Sequence, residues 1–86
     1  TPFHRWYNPS IRDHFYSYDR TGGRKRLDGY IYEGSIGNIA TSRMTNTREL
    51  YRWFNPATGR HYYSTQPKVP PALKKYRFDG IAGYVR

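Results

Sequence analysis

Short runs rich in aromatic residues, broken by turn-forming residues, recur along this chain, and no stretch shows the 3.6-residue period of a helix. In Tyr51-Arg52-Trp53 ring, cation and ring alternate with the strand period of two. Leu50–Phe54 and His61–Thr65 flank Asn55-Pro56-Ala57-Thr58-Gly59. Proline second in the turn and glycine at its end suit a type I turn closed by a left-handed residue, which predicts a hairpin. Asn8-Pro9-Ser10-Ile11-Arg12 marks another, with Arg12 where Gly59 stands. A side chain at the left-handed position predicts a looser or wider turn there.

Each hairpin is followed by a polar connection. Asp19–Asp28 reads as a loop, and Gln66–Lys75, with Pro67, Pro70 and Pro71, allows one short helical turn. An aromatic strand, an acidic-Gly pair and an apolar strand close each set: Tyr30–Tyr32, Glu33-Gly34, Ile36–Ala40, then Tyr76–Phe78, Asp79-Gly80, Ile81–Val85. Each reads as a second hairpin or as one strand bent at a glycine bulge. The count is about four short antiparallel strands per set, and the fold class is all-β.

The two sets are copies. Arg5-Trp6-Tyr7-Asn8-Pro9 and His14-Phe15-Tyr16-Ser17 return as Arg52-Trp53-Phe54-Asn55-Pro56 and His61-Tyr62-Tyr63-Ser64. Repeats 4–40 and 50–86, joined by a polar linker 41–49, are expected to form one domain over 1–86. A unit this short cannot bury its own apolar face, so the copies should share a core about a pseudo-two-fold axis. Sixteen aromatic residues against ten Ile, Leu and Val make that core aromatic, with Trp6 and Trp53 expected at the interface between copies. Arg5 and Arg52 face away from the tryptophans and are expected to pair with Glu33 and Asp79. Asn8 and Asn55 should cap their turns.

Without cysteine, neither disulfides nor thiolate metal sites are available. No run approaches the ~20 apolar residues of a membrane span, and no signal peptide is visible. The start at Thr1 suggests a processed mature protein or an excised domain, and secretion is compatible with either. Dimerisation would add buried area to so small a chain. Fifteen Lys and Arg against six acids leave a net charge of +9, which favours polyanions such as acidic glycans, nucleic acid or an anionic surface.

The string Leu50-Tyr51-Arg52-Trp53-Phe54-Asn55-Pro56, the Asp13-His14-Phe15-Tyr16-Ser17 run and Asp79-Gly80-Ile81-Ala82-Gly83-Tyr84 resemble a tyrosine-rich repeat family of unknown function. Such repeats occur in secreted fungal proteins and at the ends of bacterial cell-wall and polysaccharide hydrolases. The resemblance implies a glycan-binding accessory module and supplies no catalytic residue. Ser35-Ile36-Gly37-Asn38 departs from the family's usual pattern, so two sites, if aromatic there, would not be equivalent.

Two groups of residues are candidates for chemistry. His14 and His61 recur with Asp13 and Arg60 before them. They lack a nucleophile, a second base or clustered acids, so they read as imidazoles bonded to backbone across each hairpin, or as ligand contacts. Arg20, Arg24, Lys25 and Arg26 in one connection match Lys68, Lys74 and Lys75 in the other, the same sign at the same place. The expected function is a secreted, non-catalytic, lectin-like module with one site per copy, needing no cofactor or metal and favouring acidic or sulfated glycans. A basic nucleic-acid-binding or antimicrobial-type protein is the alternative, followed by a protein-interaction or inhibitor domain.

Overall fold

The structure, a computed structural model, describes residues 1–21, 27–68 and 70–86. Six strands run in order: β1 (Pro2–Asn8), β2 (Asp13–Ser17), β3 (Ile31–Asn38), β4 (Arg48–Phe54), β5 (His61–Ser64) and β6 (Arg77–Val85), with a 3₁₀ turn at Pro71–Leu73. They form two three-stranded antiparallel sheets, β2-β1-β3 and β5-β4-β6. Each copy of the sequence pattern is thus one sheet, and the fold is all-β. The first sheet belongs to unit one and the second to unit two.

Three strands, rather than four, make up each unit. The acidic-Gly pair does not turn the chain; it bulges one continuous strand. Trp6 pairs with Tyr32 and Arg5 with Gly34, which leaves Glu33 as the extra residue. Trp53 pairs with Phe78 and Arg52 with Gly80, which leaves Asp79 in the same position. A bulge re-aims its side chain, and here both acids reach the arginine of the central strand. Arg5 Nε lies 2.8 Å from Glu33 and Arg52 Nε 2.7 Å from Asp79.

Both hairpin turns are built alike. Asn8 Oδ1 accepts the N–H of Ser10 at 3.0 Å, and Asn55 Oδ1 that of Ala57 at 2.9 Å. Arg12 takes a φ of 54° where Gly59 takes 78°. The turn in unit one is therefore not widened: β1 and β2 pair down to Asn8 and Asp13, and the arginine accepts the left-handed backbone. The asparagine cap and the two ladders are enough to hold it there.

The units meet over a cluster of Phe3, Ile39 and Ala82, with Tyr16, Leu50, Tyr63 and Val85 packed against it. After β3 the chain crosses to the other sheet, where Ala40 exchanges backbone hydrogen bonds with Tyr84 at 2.9 and 3.3 Å. The tryptophans are not at this junction. Trp6 is buried against His4, Phe15 and Tyr32, and half-buried Trp53 meets Phe78, each among rings of its own unit. The period of two turns them to the face opposite Arg5 and Arg52.

Gly83 is where the crossing is tightest. A Cβ there would stand 2.4 Å from Ile39 Cδ1 and 3.1 Å from the Ala40 carbonyl oxygen. Gly37 has a comparable φ, 140° against 157°, and nothing within 4 Å of its Cβ position. Gly83→Ala is expected to lose about 1–3 kcal/mol more stability than Gly37→Ala, since overpacking is the difference between them. Urea unfolding of the two variants checks it.

Candidate functional site

β2 is the edge strand of its sheet and lies across the second sheet, and this places Asp13 on His61. The Asp13 carboxylate accepts the His61 backbone N–H at 2.6 Å, the His61 Nδ1–H at 2.7 Å and the Tyr30 hydroxyl at 2.6 Å. An ionised carboxylate only accepts, so the proton sits on Nδ1. The His61 side chain is 1% exposed and that of Asp13 2%. Burial pushes the Asp13 carboxyl up, but the hydrogen bonds from His61 and Tyr30 outweigh it and hold the group below its ordinary value.

More contacts follow the same line. Phe15 sits against the His61 ring and beneath the Arg52 guanidinium, and it is the largest fully buried side chain. Tyr63 meets Tyr16 edge-on and its hydroxyl accepts the Tyr16 N–H at 2.8 Å, satisfying an edge-strand donor. Arg60 donates from Nε to the Ile11 carbonyl at 2.8 Å. Asp13, His61 and Arg60 are therefore joined to the other unit. His61 does bond, but to a carboxylate across the units rather than to backbone across its own hairpin.

His14 is placed differently. Its side chain is 46% exposed, tilted against the Tyr7 ring and 3.7 Å from Glu33. The two units have matching sheets, yet the contact between them is not reciprocal, because Asp13 has Arg60 as its counterpart.

Tyr30 and Tyr63 are both raised well above the phenolic value of 10.0, chiefly by burial and, for Tyr30, by the Asp13 carboxylate it donates to. A raised phenol stabilises the fold below the unfolded value, and that stability is lost as pH climbs beyond about 10. Alkaline titration followed by phenolate absorbance should show two of the ten tyrosines ionising only as the β-sheet circular dichroism collapses. Tyr63→Phe should reduce that late step to one.

The basic connections divide. Arg20 covers the Tyr32 ring, 5.3 Å from its centroid, while Lys68, Lys74 and Lys75 are exposed. Arg24, Lys25 and Arg26 lie outside the described residues. Lys74 and Lys75 lead directly from the 3₁₀ turn into β6, and Tyr76 and Phe78 follow them. A half-open groove of about 420 Å³ lies elsewhere, between the linker and the end of β6, lined by Ile39, Met44, Thr47 and Tyr84 among others. It holds none of the histidine or basic candidates, but it brings together Asn38 and Tyr84, the position at which the two copies depart from each other. Among the described residues no cluster of His, Asp and Glu has a metal-binding arrangement.

Trp53 and Tyr51 share a strand face by the period of two, and the structure extends that face into a surface that the sequence, read for a buried Trp53, does not announce. Register places Tyr62, Trp53 and Phe78 side by side across the second sheet, with Tyr51 and Ile81 in the next row. This face points away from unit one, because Leu50, Arg52, His61 and Tyr63 occupy the inner side. Phe78 is 56% exposed, and Tyr51, Trp53, Tyr62 and Tyr76 are half-buried. Trp53 Nε1 has no hydrogen-bond partner among the described residues. The matching row of unit one, Phe15-Trp6-Tyr32, is closed at Phe15 and Trp6, while Tyr32 stays 40% exposed with the Arg20 guanidinium over its ring.

A family model described as a domain of unknown function (DUF5648) matches residues 1–86. The chain belongs to the DUF5648 family. Both sheets fall inside this one match. No curated protein and no solved structure matches the chain.

Proposed function

We propose that this DUF5648 domain is a non-catalytic carbohydrate-binding module of a secreted protein, and that it takes acidic or sulfated glycans on the outer face of the second sheet. The observation that carries this is the open row Tyr62-Trp53-Phe78, backed by Tyr51 and Tyr76. Exposed Phe78 and its half-buried neighbours, set edge to face, offer apolar surface to the C–H side of a pyranose, while the phenol groups meet its hydroxyls. Lys74 and Lys75 are exposed at the β6 end of the row and supply cations for a carboxylate or sulfate. With Phe15 and Trp6 closed, the unit-one row offers only Tyr32, so the glycan site is proposed on the second sheet alone. The Asp13–His61 pair serves assembly, and nothing near it offers a nucleophile–base arrangement.

Single-stranded nucleic acid is the second reading, favoured by Tyr76 standing next to Lys74 and Lys75 at the edge of the same row. A glycan array at two salt concentrations, run with Trp53→Ala and with a Lys74→Ala, Lys75→Ala double variant, separates them. Glycan binding is expected to vanish in Trp53→Ala and weaken in the lysine variant. No glycan binding at low salt, together with oligonucleotide binding that falls steeply with salt, would replace the glycan reading by the second one.

A further inference from the structure

The two sheets carry the same inner-face constellation, but only one of the two is covered. On the second sheet Arg52, Phe54, His61 and Tyr63 receive strand β2 of unit one: Asp13 on the imidazole, Phe15 under the guanidinium, and the Tyr16 N–H on the phenol. Their counterparts on the first sheet are Arg5, Tyr7, His14 and Tyr16, which cross-strand pairing puts on one face. Tyr16 is covered by Tyr63 and Phe3. The rest is open: the His14 side chain is 46% exposed against 1% for His61, and Arg5 is 38% exposed against 19% for Arg52. Ile31 pairs with Tyr7 on this face and is 60% exposed.

We infer that the Arg5–Tyr7–His14–Ile31 face is a docking surface for a β-hairpin carrying the sequence Asp-x-aromatic-aromatic after its turn, which is to say a further unit of this same repeat. A contact made by unlike surfaces on two like units is heterologous, so it leaves one surface unfilled at the end of the pair. The covered copy shows what fills it: an acid for the imidazole, a ring for the guanidinium and a backbone edge for the phenol. Glu33 lies 2.8 Å from Arg5 and 3.7 Å from His14, as Asp79 lies beside Arg52 on the covered sheet, so an incoming carboxylate would join the same kind of ion cluster that Asp13 joins there. A second copy of this chain is a poor occupant. Its Asp13 is already buried, and its other hairpin presents Arg60-His61-Tyr62-Tyr63, with a cation where the acid belongs. The inference is independent of the glycan site, which lies on the opposite side of the other sheet.

The double variant Arg60→Asp, Tyr62→Phe gives the second hairpin the Asp-His-Phe-Tyr run of the first. Sedimentation velocity is expected to show the parent as a monomer and this variant associating with concentration. Adding His14→Ala, whose side chain the fold leaves exposed, should weaken association at least about tenfold. Should the double variant not fold, a cyclised peptide of residues 5–17, added to isotope-labelled parent, is expected to shift the amides of Tyr7, His14 and Ile31. A folded variant that stays monomeric, association untouched by His14→Ala, or a cyclic peptide without effect up to about 1 mM overturns the inference.

Discussion

Asp13→Ala is expected to remove about 3–5 kcal/mol from the unfolding free energy, the cost of breaking a buried, hydrogen-bonded pair on one side. The loss is large because one carboxylate satisfies three donors at once: the His61 ring, the His61 N–H and the Tyr30 hydroxyl. For an 86-residue chain that is a large part of all the stability it has. His14→Ala, at the matching but exposed position, should stay within about 0.5 kcal/mol of the parent. Chemical denaturation of the three proteins makes the comparison. The pair also sets the acid limit. A carboxyl held below its ordinary 3.8 stabilises the fold above that value, and the contribution is lost as pH falls through the depressed one. Acid unfolding should therefore be steep in the parent and shallower in Asp13→Asn.

Phe15→Ala is expected to cost a similar ~3–5 kcal/mol, since the ring is wholly enclosed and its removal leaves a cavity between Trp6, Tyr30, His61 and Arg52. Tyr62→Ala, the same position in unit two, should cost roughly half as much or less, because that ring is only partly covered. Equal losses at the two positions would mean that the units cover each other equally, contrary to the one-way contact. Thermal unfolding of the two variants, compared at the parent midpoint, shows which holds.

Much of each unit is readable along the chain. The turn asparagines follow from short-range rules, and the Arg–acid pairs, 27 and 28 residues apart, from one acid recurring per copy, whereas the tight left-handed turn at Arg12 does not follow from its side chain. The acidic-Gly bulge left two options open, and the ladder pairing of Arg5 with Gly34 and of Arg52 with Gly80 decides for a single bent strand. The relation between the sheets was harder to read, because a strand period fixes which side a residue faces but not what meets it. Identical letters therefore end in different places: Trp6 is enclosed while Trp53 borders an open face, and His61 is enclosed while His14 is exposed. The signal for this lay in the letters that differ. Asp13 against Arg60 and Phe15 against Tyr62 are the changes that make one hairpin fit the other sheet and leave its counterpart free.

The same asymmetry makes the two tryptophans reporters of where a ligand sits. Titrating isotope-labelled protein with a sulfated oligosaccharide, and following the two indole N–H resonances, tests the account most directly. The Trp53 resonance should move saturably while that of enclosed Trp6 stays fixed, and Trp53→Ala should abolish binding without unfolding the protein. Movement of Trp6 alone, or binding that leaves Trp53 unmoved, would contradict a glycan site on the outer face of the second sheet.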